Sequence, residues 1–296
     1  MDRPAQIKFP IPEEELVYSG HTACPGCGAA LAMKYVLKGL GPRTIIVIPP
    51  SCMGTIAAGF PFSSLKIPVL RIPFESTAIT ASGIRAALDV MGKEDIHVLA
   101  WAGDGGTFDI GLQALSGSAE RNDNIIYVCY DNEGYMNTGI QRSSSTPAGA
   151  WTTTTPAPFV KDTPKKDIVR IMAAHNVPYI ATASIGYPVD LIRKVKKAKE
   201  IGGTRFILIF SPCPTGWRYS PEMTIRLAKL ATETGIFPLY EIENGEKYTL
   251  SSKRSEKPLR DYFALQGRFR NLTKENLQQF EKRVEKEREY LKRLAG

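Results

Sequence analysis

No stretch of this 296-residue chain is apolar for the ~18 residues that a bilayer-spanning helix needs. Its first residues, MDRPAQIKFPIPEEELVYSG, place acids and prolines where a secretory signal needs an unbroken apolar core. The expectation is a cytoplasmic protein that makes no contact with membranes. Cysteine is scarce as well: Cys24, Cys27, Cys52, Cys129 and Cys213 are too few for a disulfide scaffold at this length, and odd in number. In a reducing compartment, spaced cysteines more often bind metal or do redox chemistry than pair with one another. Aromatic residues, 9% of the chain, form no stripe interleaved with the basic ones. The net charge of +8 is diffuse, spread over 194–199, 253–260 and the C-terminal end. That distribution argues against nucleic acid and for an acidic protein partner. There is no internal repeat.

What is present is ordinary globular composition, 43% hydrophobic and 23% charged, enough for one large α/β domain or two small ones. Short β-branched runs at 43–48, 69–72, 96–101, 125–130, 178–183 and 206–210 are nearly all apolar, the pattern of strands covered on both faces. Segments of helical period lie between them at 29–40, 76–91, 111–121, 166–175, 188–201 and 221–232. This order predicts an α/β fold with a doubly wound, mainly parallel sheet. The Ser/Thr/Pro/Gly-rich stretch 143–162 predicts a long loop, and loops of that length inside a compact domain are usually functional. Beyond Gly235 the pattern changes to an extended arm reaching about residue 269, then a charged helix over 273–294 that reads as a solvated surface helix. The chain is accordingly divided into 1–234 and 235–296.

The run IHVLAW leads directly into AGDGGTFDIGLQAL, so Gly103, Asp104, Gly105 and Gly106 sit where a strand ends and a helix begins. Ligands collect at that edge of open α/β sheets, and glycines with a helix N-terminus favour a phosphate. An aspartate among them would repel a bare phosphate, which implies a bridging divalent cation, Mg2+ for an oxygen-rich diphosphate site. One strand later comes DNEGYMNTG, in which Asn132 and an adjacent backbone carbonyl can ligate the same cation. GDG followed about thirty residues on by such an asparagine resembles the thiamine diphosphate motif. A pair of tight turns capping helices is the plainer alternative.

Cys24 and Cys27 form a C-x2-C knuckle, CPGC, ahead of a helix. Two sulfurs leave a tetrahedral or cubane site half finished. Cys129 lies in an apolar strand and reads as a small buried side chain. Cys52 in PPSCMG and Cys213 in SPCPTGW both follow predicted strands, in Pro/Gly turns on the same sheet edge as the GDG turn. Cys24, Cys27, Cys52 and Cys213 are therefore the candidate set, and spacing alone leaves structural zinc and an iron–sulfur cluster both open.

Long segments of the chain resemble the β subunits of pyruvate:ferredoxin oxidoreductase and related 2-oxoacid:ferredoxin oxidoreductases. They are GHTACPGCGAA, FESTAITASGIRAAL, GDGGTFDIGLQALSGSAER, YDNEGYMNTGIQRSSSTPAGAWTTT, AAHNVPYIATAS, FSPCPTGW and ALQGRFR. The resemblance implies a thiamine-diphosphate-binding fold over 1–234, with a [4Fe-4S] cluster on Cys24, Cys27, Cys52 and Cys213. It implies Mg2+ on Asp104, Asn132 and the carbonyl of Gly134, with Gly103, Gly105 and Gly106 at the diphosphate. Asn137 would face the thiazolium and substrate as the catalytic residue, with Ser51, Cys52 and Tyr135 near the cofactor. It also implies α-, γ- and δ-type partner subunits, ferredoxin, a 2-oxoacid and coenzyme A. The glutamate that engages the aminopyrimidine ring would come from a partner, since neither Glu75 nor Glu133 is assigned that role. The chain departs from some members at Ala29, where they carry an acidic residue.

Overall fold

A computed structural model describes residues 11–57, 59, 61–251 and 257–296. The first ten residues of the N-terminal stretch and part of the basic run 253–260 lie outside the described residues. The elements in chain order are α1 (Gly28–Leu40), β1 (Thr44–Ile48), α2 (Cys52–Ile56), β2 (Val69–Arg71), α3 (Thr77–Val90) and β3 (His97–Gly103). Then come α4 (Leu112–Glu120), β4 (Ile126–Asp131), α5 (Ile168–Ala174), β5 (Tyr179–Ser184), α6 (Pro188–Glu200) and β6 (Arg205–Phe210). The chain ends with α7 (Pro214–Trp217), α8 (Thr224–Glu233), β7 (Tyr240–Glu243), β8 (Lys247–Leu250), α9 (Leu259–Phe263) and α10 (Lys274–Ala295).

The eight strands form one sheet in the order β2-β1-β3-β4-β6-β5-β7-β8, with β1 to β6 parallel to one another. The apolar runs are explained by burial on both faces. Along β4, Tyr127 and Cys129 enter one core while Ile126, Val128 and Tyr130 enter the other. Helices α1 and α6 cover the second core, and α3, α4, α5 and α10 contribute to the first. The sheet is thus doubly wound, as its sequence predicts.

The region after Gly235 differs from the expected extended arm. Residues 240–250 form a hairpin whose first strand pairs antiparallel with β5, so this part of the chain extends the same sheet. Antiparallel pairing needs only a short connection, and residues 244–246 alone join the two strands of the hairpin. Helix α10 opens with a capping box at Thr273 and Asn276. Although mostly exposed, it buries Val284 and Leu291 and packs Phe280 against Phe263, 4.8 Å between ring centroids.

Because β1, β3, β4 and β6 are adjacent and parallel, their carboxyl ends open onto one edge. The chain leaves β1 toward β2 on one side, and leaves β3 toward β4 on the other. The crevice between β1 and β3 is therefore the topological switch point, where ligands bind in open α/β sheets.

Candidate active site

At that crevice lies a cavity of about 220 Å³. Its wall includes Ser51 and Cys52 after β1, Gly103 at the end of β3 with Asp104, Gly105 and Gly106 beyond it, and Asn132, Gly134, Tyr135 and Asn137 after β4. These are all the residues the sequence nominates for the cofactor and its cation. Phe74, Tyr130 and Met136 complete much of the apolar lining.

The GDG turn does not run straight into an α-helix: a wide π-helical turn, Gly105–Asp109, precedes α4. A Cβ at Gly105 would stand 2.4 Å from the ring of Tyr135, so only glycine lets that ring lie across the turn. The Tyr135 hydroxyl donates to Asp109 Oδ2 at 2.9 Å, fixing the ring's far end. Asn137 accepts a hydrogen bond from Thr55 Oγ1 at 3.3 Å, which ties the cavity wall to α2.

Asp104 is buried, and its carboxyl is pushed above the usual range by burial first and by the charge of Asp131 next. Ser143 donates to its Oδ2. The amide end of Asn132 lies 2.9 Å from both Asp104 Oδ1 and the Gly134 carbonyl oxygen. With its nitrogen on that side, the amide donates to both oxygens. A half-turn of the amide presents its oxygen instead, so carboxylate, amide and peptide carbonyl together suit a hard divalent cation such as Mg2+.

Cys52 and Cys213 follow β1 and β6, whereas Cys24 and Cys27 precede α1. Cys27 is the N-cap of α1, Cys52 the first residue of α2 and Cys213 the N-cap of α7, where its sulfur accepts from the Gly216 amide at 3.3 Å. Helix N-termini favour thiolates. The thiols of Cys27, Cys52 and Cys213 nevertheless sit above their ordinary pKa. Burial and then the charges of Cys213, Cys27 and Cys24 carry Cys52 to about 12, and burial takes Cys213 to about 11. Bound metal reverses such shifts by binding the thiolate. The thiols feel one another's charge, yet among the described residues no three His, Cys, Asp or Glu side chains meet at the spacing of a single metal ion. Cys129 is fully buried in β4, as its apolar context predicts.

Several residues at the site have no motif to announce them. Asp131 and Glu133, on either side of Asn132, are buried and share Lys165, at 2.8 and 2.7 Å. Glu133 also pairs with the buried Arg268 at 2.5 Å. Charges flanking a nominated ligand at a buried strand end were the available signal for the two acids. Arg268, far along the chain, had none. Glu75 does not line the cavity, and the carboxylate of Glu133 is committed to its two cations.

The fold defines a doubly wound α/β protein with a cavity at its topological switch point. The family described as "Thiamine pyrophosphate enzyme, C-terminal TPP binding domain" matches residues 74–209. The chain is 51% identical to ketoisovalerate oxidoreductase subunit VorB of Pyrococcus furiosus, over all of this chain and 99% of that one. It is also 51% identical to pyruvate synthase subunit PorB of Methanothermobacter thermautotrophicus, over 90% of this chain and 93% of that one. A solved 2-oxoglutarate:ferredoxin oxidoreductase of Magnetococcus marinus shares the fold, with a TM-score of 0.62 at 20% identity over 88% of this chain and 92% of that one. The chain belongs to the β subunits of the 2-oxoacid:ferredoxin oxidoreductases. It is therefore one subunit of a multi-subunit enzyme. Among the described residues no helix is long and apolar enough to cross a membrane.

Proposed function

We propose that this chain supplies the diphosphate-holding half of the cofactor site and the first electron acceptor of an oxidoreductase acting on pyruvate. The overall reaction takes the 2-oxoacid and coenzyme A to acyl-CoA and CO2, with two electrons leaving for ferredoxin. The observation that carries this reading is the convergence of Asp104 Oδ1, the Asn132 amide and the Gly134 carbonyl in a cavity that Cys52 also lines.

In this reading Asp104, Asn132 and the Gly134 carbonyl hold Mg2+ on thiamine diphosphate, while Gly103, Gly105 and Gly106 allow close backbone approach to the diphosphate. Ser51, Cys52 and Tyr135 border the cofactor, and Asn137 orients the substrate as the catalytic residue. Bound thiamine diphosphate supplies the carbon nucleophile and the electron sink for decarboxylation. Cys24, Cys27, Cys52 and Cys213 hold a [4Fe-4S] cluster, with Cys52 common to the cluster set and the cofactor wall. α-, γ- and δ-type subunits complete the site in the cytoplasm, including the glutamate for the aminopyrimidine.

Iron, sulfide and zinc analysis of the assembled complex, with an absorption spectrum, tests the cluster: a colourless protein carrying one zinc overturns it. Turnover on a panel of 2-oxoacids tests the substrate. A branched-chain 2-oxoacid is the second reading, favoured because the chain aligns over its full length with subunits named for ketoisovalerate. A turnover preference for ketoisovalerate over pyruvate would select it.

A further inference from the structure

The turn that carries Asn132 and Gly134 is held from outside the cofactor cavity. Glu133, between them, has φ of +64°, the left-handed region that costs a non-glycine residue about 1 kcal/mol or more. Glycine would relieve that strain but would delete the carboxylate, which is 2% exposed and bridges Lys165 at 2.7 Å to Arg268 at 2.5 Å. Lys165 also holds Asp131 at 2.8 Å, so both neighbours of Asn132 are gripped by one ammonium group. The guanidinium of Arg268 stacks 3.7 Å above the ring of Trp217, and the Trp217 indole N–H donates to the carbonyl oxygen of Asn132 at 2.7 Å. Arg268 Nε donates to Gln266 Oε1 at 2.9 Å, which sets the plane of the guanidinium. The Glu133 carbonyl accepts from Thr146 Oγ1 at 2.8 Å, closing the last side of the turn.

Arg268 lies in the segment between α9 and α10, more than a hundred residues from this turn in sequence, yet its side chain is only 2% exposed. Burying a guanidinium for a surface tie alone is expensive, whereas a planar, bidentate-capable cation can fix a carboxylate and an aromatic ring together. We propose that Arg268 is a positioning residue for the cation site: through Glu133 and Trp217 it holds the 131–134 turn in the form that presents the Asn132 amide and Gly134 carbonyl beside Asp104. The proposal rests on the assignment of Asp104, Asn132 and Gly134 as Mg2+ ligands. The C-terminal segment thereby sets how tightly Mg2+ and the diphosphate are held without touching either.

The test measures Mg2+ binding in the presence of thiamine diphosphate, using the assembled complex stripped with chelator and then titrated calorimetrically. Arg268→Met is expected to raise the apparent Kd for Mg2+ at least tenfold, and Arg268→Lys to recover part of that loss. Trp217→Phe keeps the ring under Arg268 but removes the hydrogen bond to Asn132, and is expected to weaken Mg2+ severalfold. It serves as the independent arm should Arg268→Met fail to fold. A purely structural tie would lower the unfolding temperature and leave the Kd unchanged. An unchanged Kd in whichever of these variants fold and assemble overturns the proposal. If the wild-type complex itself binds neither Mg2+ nor thiamine diphosphate, the underlying site assignment falls, and this inference with it.

Discussion

The backbone amide of Gly28 donates to the carbonyl oxygen of Pro212 at 3.2 Å, and this bond sets the CPGC knuckle beside the turn that carries Cys213. The two segments are remote in sequence but touch so closely that a Cβ at Gly28 would stand 2.6 Å from that same oxygen. Thr224 Oγ1 donates to the Gly26 carbonyl at 2.7 Å and holds the knuckle from its other side.

Gly28→Ala should therefore push the knuckle away from Cys213. Forced overpacking at backbone costs about 2 kcal/mol, and the proposed cluster should be lost before the fold is. Iron content per chain, read beside the unfolding temperature, checks this; a full complement of iron in the variant would show that the contact is dispensable.

Cys213→Ser and Cys52→Ser should differ. Only Cys52 lines the cofactor cavity, so its replacement should disturb both cluster and thiamine diphosphate binding, whereas Cys213→Ser should remove the cluster and leave cofactor affinity within about twofold. Calorimetric titration of both variants with thiamine diphosphate and Mg2+ distinguishes them, and equal weakening would count against the division of roles.

Asp104→Asn removes the charge at the buried oxygen set with little change of shape. Mg2+-dependent thiamine diphosphate binding should fall by a hundredfold or more, about 3 kcal/mol. Ser143→Ala, which removes only a donor to the same carboxylate, should cost tenfold or less. The reverse ranking would mean that Asp104 is not a cation ligand.

Glu241 makes the acid stability of the fold predictable. On β7 its carboxylate, 4% exposed, accepts from Arg193 at 2.6 Å and from Lys197 and the Tyr179 hydroxyl at 2.8 Å. Burial opposes its charge, but these donors prevail and depress its pKa from 4.5 to about 2. The stabilisation is fully present above pH 4.5 and disappears as pH falls toward 2. Glu241→Gln should lower stability by on the order of 2 kcal/mol at pH 7, with the gap to wild type closing below pH 4. Chemical denaturation across this pH range reads the difference, and a constant gap would point elsewhere.

Much of the fold was legible because doubly covered strands must be apolar throughout. The runs from 43–48 to 206–210 became β1 to β6 within a residue or two at each end. The 240–250 hairpin escaped notice because YEIE and KYTL are short and interrupted by charge, and the partner that buries Tyr240 and Glu241 lies on β5. In the site, the residues at strand ends were readable because glycine, asparagine and cysteine in such turns have few other uses. Lys165 and Arg268 were not, since a lysine in TPKKD and an arginine in QGRFR look like solvated charges until folding buries them against Glu133.

By itself the sequence determined the local chemistry: which runs become strands, where each strand ends, and which oxygen- and sulfur-bearing side chains stand at those ends. Tertiary structure alone decided which ends are neighbours. The order β1-β3-β4-β6 puts Cys52, Asp104, Asn132 and Cys213 along one edge, and the return of the chain past α9 delivers Arg268 to the turn between two of them. The physical reason is that burial and charge pairing depend on distance in space, and a chain that crosses its sheet repeatedly makes that distance unrelated to separation in sequence.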